Sequence, residues 1–336
     1  MRFRNKAWAK GVLIALLGLL LLAFPAGGAG KPYRIGIVLP GDQWSSGVEG
    51  LKEGLKGIGY VEGRDVQYIL ENAQGDKKRV EEATRRFVAE KVDVIFTITN
   101  TALKIVARVT EPSKTPVVFG SASGPVESGL MPSYATPNTH ITGVTSGSIE
   151  LVPKRLEILK EILPHVKRVA LIGERDADSS MAAFRLAEEV APKLGLTLTE
   201  FRVASNDEAV AVARRITRRE ADALFLIPSL HTVGVTGEIA AAAKAARLPF
   251  AVYQVEHVRK HGALLSYGSS YYLQGKQAAS LVDKVLRGVP PGQLPIEQPQ
   301  LHQFILNLET AREIGVGFSP EVLNRADELI GATSPR

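Results

Sequence analysis

Small hydroxyl and amide side chains follow most of the strands that the sequence predicts, in loops that could together bind a polar ligand. Where parallel strands end, the following helices present free N–H groups, which suit a carboxylate or another small anion. The same side chains are also typical helix N-caps, and a capped helix end can still face a cleft. These loops are residues 40–46, 99–101, 121–124, 174–180, 228–232, 253–254 and 268–270.

Twelve residues in these loops are the candidates for contacting a ligand. Most carry a hydroxyl or an amide, and they come from both halves of the chain. The candidates are Gln43, Trp44, Ser45, Asn100, Thr101, Ser121, Ser123, Ser179, Ser229, His231, Tyr253 and Ser269. Trp44 directly follows the first predicted strand, so we expect its indole either to stack on the ligand or to pack as the first apolar residue of the next helix.

The sequence carries none of the common catalytic signatures. A nucleophile elbow, a phosphate-binding P-loop and an H-E-x-x-H pair are absent, as is a dinucleotide fingerprint after the first strand. Zero cysteines exclude disulfides, thiolate metal sites, a thiol nucleophile and a lipid-modified cysteine. We therefore predict no catalytic residue and no cofactor, with an exported hydrolase as the enzymatic alternative.

The histidines do not change this interpretation. His257 and His261 stand four residues apart beside Glu256, which could place two imidazoles on one helix face. Because no second ligand cluster lies nearby in sequence, we predict no metal site. His231 has no evident nucleophile to serve, so a hydrogen-bonding or capping role is expected for it.

The N-terminus has the pattern of an export signal. Four cations and no acid fall within the first 30 residues, followed by a 14-residue apolar run at positions 11–24 and by small residues. We expect residues 1–29 to be a signal peptide cleaved near Ala29, leaving a protein in the periplasm that is not a lipoprotein. A retained membrane anchor is the alternative.

The charge distribution argues against a nucleic-acid partner. The chain has 41 basic and 35 acidic residues, and setting aside the four N-terminal cations leaves an excess of only two positive charges. The remaining cations are interspersed with glutamates along helical segments, as on solvated helix faces. We expect a monomer that binds no nucleic acid.

Short β-branched runs alternate with amphipathic helical segments from residue 31 onward. This alternation predicts an α/β protein built on parallel sheets, and the 336 residues suffice for two doubly wound, Rossmann-like lobes. The predicted strands are residues 34–39, 65–70, 94–98, 117–121, 168–173, 197–203, 223–227, 250–253 and 263–267.

The alternation fails at residues 125–147, which are rich in Pro, Gly, Ser, Thr and Asn and which we interpret as a connector between lobes. Residues 266–270 and 288–295 are further possible crossings. The predicted N-terminal lobe is residues 31–146 plus about 268–290, and the predicted C-terminal lobe is residues 147–267 plus about 291–336.

An ordered set of short motifs spans nearly the whole chain after residue 30. With them, the sequence resembles the ABC-transporter substrate-binding proteins of the group that includes tryptophan and tyrosine binders. The motifs are residues 34–39 (RIGIVL), 50–66, 92–96 (VDVIF), 115–119 (TPVVF), 125–130 (PVESGL), 141–144 (ITGV), 156–164 (LEILKEILP), 262–268 (GALLSYG), 294–299 (LPIEQP), 307–311 (NLETA) and 325–328 (RADE).

This resemblance implies a type I periplasmic-binding-protein fold, whose two lobes close by a hinge around a small solute. It also implies an ABC permease in the inner membrane as partner. Together with the loops that suit a carboxylate, it leads us to expect a small carboxylate-bearing ligand, with amino acids among the candidates. A periplasmic sensory module read by a membrane receptor is the alternative. Two positions depart from the family pattern: Gly124 replaces a usual Asp, and residues 138–140 (NTH) replace a Gly-Gly-Asn run.

Overall fold

A computed structural model of the protein describes residues 31–332, except for the side chains of Leu230 and His231. The predicted signal peptide, residues 1–29, lies outside the described residues, so its cleavage stays a prediction. Within residues 31–332, no helix combines the length and the hydropathy that crossing a membrane would require.

The first sheet has five strands, all parallel, in the order β2-β1-β3-β4-β5. Its inner strands are continuous apolar runs, as expected for a parallel sheet covered by helices on both faces. The strands are β1 (Tyr33–Leu39), β2 (Val66–Asn72), β3 (Val94–Ile98), β4 (Val117–Ala122) and β5 (Ile141–Thr145), and the helices between them are α1 (Ser45–Gly57), α2 (Lys77–Ala89) and α3 (Asn100–Thr110).

Helix α2 shows how the sequence determines these elements locally. Its N-cap is Asp76, whose carboxylate accepts a hydrogen bond of 2.7 Å from the backbone N–H of Lys78. Val80, Ala83 and Phe87 follow at helical spacing and are buried against the sheet. The opposite face carries the charged residues.

The second sheet has seven strands in the order β12-β11-β10-β9-β8-β6-β7, and only the pair β10–β11 is antiparallel. Its strands are β6 (Arg168–Glu174), β7 (Thr197–Val203), β8 (Ala223–Leu226), β9 (Phe250–Val252), β10 (Leu265–Gly268), β11 (Gln303–Asn307) and β12 (Glu328–Ile330). The helices after β5 are α4 (Val152–Ile162), α5 (Asp178–Val190), α6 (Asn206–Arg215), α7 (Leu230–Val233), α8 (Thr236–Ala245), α9 (Val255–His261), α10 (Tyr271–Leu286), α11 (Leu308–Ile314) and α12 (Pro320–Arg325).

We call the first sheet with α1–α3 and α10 the first lobe, and the second sheet with its other helices the second lobe. Helix α10 follows a strand of the second sheet but packs on α1, β4 and β5. Two glycines permit this packing, because a Cβ at Gly275 would lie 1.9 Å from the carbonyl oxygen of Gly47, and one at Gly50 would lie 2.0 Å from that of Tyr272. The two helix backbones are thus in direct contact.

The predicted α/β architecture is confirmed, and each of the nine predicted strands is present within two residues of its expected bounds. Residues 125–147, interpreted from the sequence as a connector in which the alternation fails, end in β5, which joins the first sheet. This strand was not predicted because it has a glycine at its centre: a Cβ on Gly143 would lie 2.3 Å from the carbonyl oxygen of Phe119. Strands β11 and β12 were not predicted.

Three segments connect the lobes. Residues 146–151 lead from β5 to α4, and residues 269–270 lead from β10 to α10. The third crossing comes after α10. Glu297 still pairs with the first sheet, because its carbonyl accepts a hydrogen bond of 2.9 Å from the backbone N–H of Thr145. The chain therefore crosses after Glu297, later than the suggested residues 288–295. The lobe boundaries stated from the sequence stay a prediction.

Candidate functional site

A cavity lies where the carboxyl ends of strands from both sheets face each other. Its volume is about 580 Å³, including the part open to solvent. The wall combines hydroxyl and amide groups with aromatic rings, and each lobe supplies part of it. The lining residues are Trp44, Thr99, Asn100, Thr101, Ser121, Ser123, Glu174, Ala177, Ser179, Pro228, Ser229, Val233, Tyr253, Gln254 and Tyr271.

The first-lobe wall contains two residues with left-handed backbone conformations. Thr99, at the end of β3, has φ 77°, and Ser121, near the end of β4, has φ 62°. Residues other than glycine rarely adopt positive φ, and for β-branched threonine this value is a clear outlier. Such strain clusters at binding sites, where the surrounding structure holds it in place.

Asn100 and its neighbours provide polar groups that are directed to the cavity. The Asn100 side-chain amide donates to the carbonyl of Ser123 at 2.6 Å, which fixes the side chain. Its Oδ1 is buried without a protein partner, and so is the hydroxyl of Ser121. Because Asn100 is also the first residue of α3, the free N–H groups of this helix start at the same place. These unpartnered groups are available to a bound molecule.

The second-lobe wall is assembled from the loops after β6, β8 and β9. The buried hydroxyl of Ser180 donates to the carbonyl of Pro228 at 2.6 Å and joins two of these loops. The Ser229 hydroxyl and the Gln254 Oε1 atom are buried without a protein partner. Unpartnered buried polar atoms therefore occur on both walls of the cavity.

Three aromatic side chains line the cavity. Trp44 is only 3% exposed and belongs to the hydrophobic core, so its ring is held in place. Burial raises the pKa of Tyr271 well above its usual value, although hydrogen bonds from Trp44 and Gln254 oppose this. Burial also raises the pKa of Tyr253, against the opposing effects of the Ser229 backbone N–H and the Arg155 charge. Both phenols are neutral at physiological pH.

Charged groups lie at the wall and at the rim. Glu174 is a half-buried wall residue at the end of β6. At the rim, Lys104 of α3 forms an ion pair of 2.7 Å with Asp178 of α5. Both side chains are exposed, and the pair connects the two lobes across the cleft.

The structure brings eight of the twelve predicted site residues together around this cavity: Trp44, Asn100, Thr101, Ser121, Ser123, Ser179, Ser229 and Tyr253. Their contact with a ligand stays a prediction. Gln43 and Ser45 do not line it, because the 3₁₀ turn Asp42–Trp44 directs the indole inward and leaves these two neighbours exposed. Ser269 is buried and lines a separate groove with Leu273 and Lys276. The side chain of His231 lies outside the described residues.

Sequence reasoning did not select seven wall residues: Thr99, Glu174, Ala177, Pro228, Val233, Gln254 and Tyr271. Five of them fall within the polar loops already identified. Val233 and Tyr271 lie in helices after such loops, and no local pattern distinguishes them from other apolar helix residues.

Three further histidines lie outside the lining of the cavity. The rings of His257 and His261 are 5.9 Å apart on α9, and burial lowers the pKa of His257 to about 3. Within residues 31–332, no group of three or more His, Asp or Glu is arranged to hold a metal ion. His140 is buried, and its Nε2 atom is 2.8 Å from the hydroxyl of Thr110. Gly124 has φ 48°, and a Cβ there would lie 2.5 Å from a methyl carbon of Ile149.

Comparisons with known proteins agree with this architecture. The profile of one protein family, described as ABC transporter substrate binding protein, matches residues 34–330. A tyrosine-binding protein of Clostridioides difficile (strain R20291) is 23% identical over 266 residues, which are 79% of this chain and 75% of that protein.

Two solved structures superpose with a TM-score of 0.82, and both comparisons cover 89% of this chain and 100% of the other. One is a conserved domain protein from Vibrio cholerae O1 biovar eltor, with 25% sequence identity. The other is an ABC domain in complex with L-Trp from Streptococcus pneumonia, with 22% identity. These matches confirm the expected periplasmic-binding-protein fold.

Proposed function

The chain belongs to the family of ABC transporter substrate-binding proteins, and we propose that it binds an aromatic amino acid such as tryptophan or tyrosine in the cavity between its lobes. Proteins of this family bind solutes and are not enzymes, as the lack of catalytic motifs led us to expect. The relatives named for tyrosine binding and for an L-Trp complex support this class of ligand.

The observation that carries the proposal is the division of the cavity wall into polar and aromatic parts. The start of α3 provides free N–H groups and the hydroxyls of Thr99 and Thr101, and β4 adds the hydroxyl of Ser121. Together these groups suit a carboxylate. Glu174 supplies the negative charge that an ammonium group prefers. The rings of Trp44, Tyr253 and Tyr271 provide a surface for an aromatic side chain.

Binding is proposed to close the lobes about their three connecting segments. A ligand that touches both walls binds the closed form more tightly than the open form, and this difference in affinity shifts the population toward closure. The Lys104–Asp178 ion pair supports this mechanism, because it joins the lobes at the rim only when they are close together. We expect the protein to be exported and its closed form to be recognised by a permease.

The test uses the chain from Gly30 onward, in which Trp44 is the only tryptophan. L-Tyrosine, L-phenylalanine and L-tryptophan are added in calorimetry and thermal-shift assays, and the first two also in tryptophan fluorescence. We expect a raised melting temperature, a change in Trp44 emission and a smaller radius of gyration in small-angle scattering.

Asn100→Ala tests the cavity itself. We expect this variant to bind about tenfold more weakly, because it removes a buried polar group of the wall. Gln43→Ala is the matched control, since Gln43 is exposed outside the cavity, and it should bind like the wild type. Binding of sugars or nucleosides with no response to aromatic amino acids would refute the proposal.

A further inference from the structure

Arg155 is a charged side chain in the interior of the second lobe. It lies on α4, is 0% exposed, and its guanidinium is 5.9 Å from the ring centroid of Phe225. Its Nη2 atom donates to the backbone carbonyl of Ser148. Its Nε and Nη1 atoms are buried and have no protein partner.

Such an arrangement lowers the stability of the folded protein. A buried charge needs compensating hydrogen bonds, and unpartnered charged donors destabilise a fold. Burial lowers the pKa of Arg155 to about 9, so the guanidinium is still charged near neutral pH. Glu150 favours the charged form; its Oε1 accepts a hydrogen bond of 2.8 Å from Tyr134, and its Oε2 is buried without a protein partner.

Arg155 is linked to the cavity wall by a chain of hydrogen bonds, and its charge opposes the rise in the pKa of Tyr253, which lines the cavity. Its hydrogen-bond partner Ser148 donates through its own hydroxyl to the hydroxyl of Ser123 at 2.8 Å, and Ser123 also lines the cavity. Ser148 and Ser123 therefore lie between the guanidinium and the cavity.

We propose that Arg155 is a specificity-determining residue, whose buried positive charge makes the cavity prefer ligands with a carboxylate at the end bordered by Ser123. This inference rests on the proposed function, and it names the ligand group that the charge selects. Arg155 acts through the wall rather than by contact, so it is a positioning residue. At a given distance, a charge in low dielectric acts far more strongly than an exposed one.

Lys104, the cation at the rim, cannot supply the same charge as Arg155. Lys104 is exposed and engaged with Asp178, so solvent and salt screen its charge. The start of α3 contributes only a partial positive charge, equivalent to about half an elementary charge. Arg155 adds a full charge that salt screens much less.

The experiment compares L-tyrosine with L-tyrosinamide at pH 6, a pair that differs in the carboxylate. In Arg155→Met we expect the affinity for L-tyrosine to fall about tenfold, equal to about 1.4 kcal/mol, and the affinity for the amide to change less than about twofold. Arg155→Lys keeps the charge and should retain most of the preference. The melting temperature of ligand-free Arg155→Met should equal or exceed that of the wild type, because a buried charge has been removed.

Arg155→Gln answers the same question if Arg155→Met does not fold. The wild type provides an independent check, since its preference for acid over amide should change less than about twofold between 0.05 and 0.5 M NaCl. Equal losses of affinity for L-tyrosine and L-tyrosinamide would show that Arg155 has only a structural role, and unchanged affinity for both would show that it has no role in binding. Either result overturns this inference and leaves the proposed function standing. Binding of neither compound by the wild type would instead overturn the proposed function, and this inference with it.

Discussion

The two walls of the cavity present similar polar groups but obtain them in different ways. The first-lobe wall depends on backbone geometry: Thr99 and Ser121 hold positive φ, and the lobe is completed by the glycine contact between α1 and α10. The second-lobe wall has ordinary backbone conformations among its described residues. The second lobe also buries the guanidinium of Arg155 and the imidazole of His257.

This difference indicates which kinds of substitution each wall tolerates. Where the backbone is strained or in close contact, adding even one carbon atom should disturb the wall. In the second lobe, where titratable side chains are buried, changes of charge should matter more than changes of shape. The following predictions test this contrast, from the largest expected effect to the smallest.

Gly275→Ala should lower the free energy of unfolding by about 3 kcal/mol, because the new Cβ would collide with the backbone carbonyl of Gly47. Urea denaturation measures the change. Gly57→Ala is the matched control: its Cβ would meet nothing within 4 Å, so it should be neutral or slightly stabilising. If Gly275→Ala is as stable as the wild type, the two helices are not held by their backbones.

His257 should make stability fall as the solution is acidified. Its folded pKa is about 3 and its usual value 6.5, so the unfolded chain takes up the proton first. The stabilisation is complete above pH 6.5 and is lost as the pH falls toward 3, by about 2 kcal/mol between pH 7 and pH 5. His257→Leu should flatten this part of the profile. His165→Gln, which removes an exposed histidine, is the control, and an equal flattening by both would contradict the assignment.

Ser121→Val should cost about 1 kcal/mol of stability more than Ser229→Val. Valine is poorly suited to the left-handed conformation of Ser121, whereas Ser229 has φ −160° and an extended backbone that suits it. Thermal or urea unfolding of the two variants gives the comparison. Equal costs would mean that the walls do not differ in backbone strain.

The Lys104–Asp178 ion pair should contribute least. Because both side chains are exposed, we expect a coupling of less than about 1 kcal/mol, seen as a roughly twofold weaker affinity in Lys104→Ala at low salt. A double-mutant cycle with Asp178→Ala isolates the pair, and the effect should vanish at 0.5 M NaCl. A large loss of ligand affinity that persists at high salt would show that the rim contributes as much to binding as the walls do.

Much of the fold was predictable because its information is local. Strands such as β3 and β7 are recognisable as runs of β-branched and aromatic residues, and helix α2 by its cap and its buried face. The same rule placed the polar loops at the carboxyl ends of the strands, where Asn100, Ser121 and Ser229 are found. Strand β5 escaped prediction, because Gly143 is explained only by its contact with β4.

What the sequence by itself determined, then, is the alternation of strands and helices, the likeness to solute-binding proteins and the loops from which a site could be built. The tertiary structure decided which residues of those loops meet. It directed Trp44 inward and left Gln43 exposed, brought Tyr271 from a distant helix, and linked Arg155 through Ser148 to Ser123. These outcomes depend on contacts between residues far apart in the chain, and no short pattern of residue types encodes such contacts.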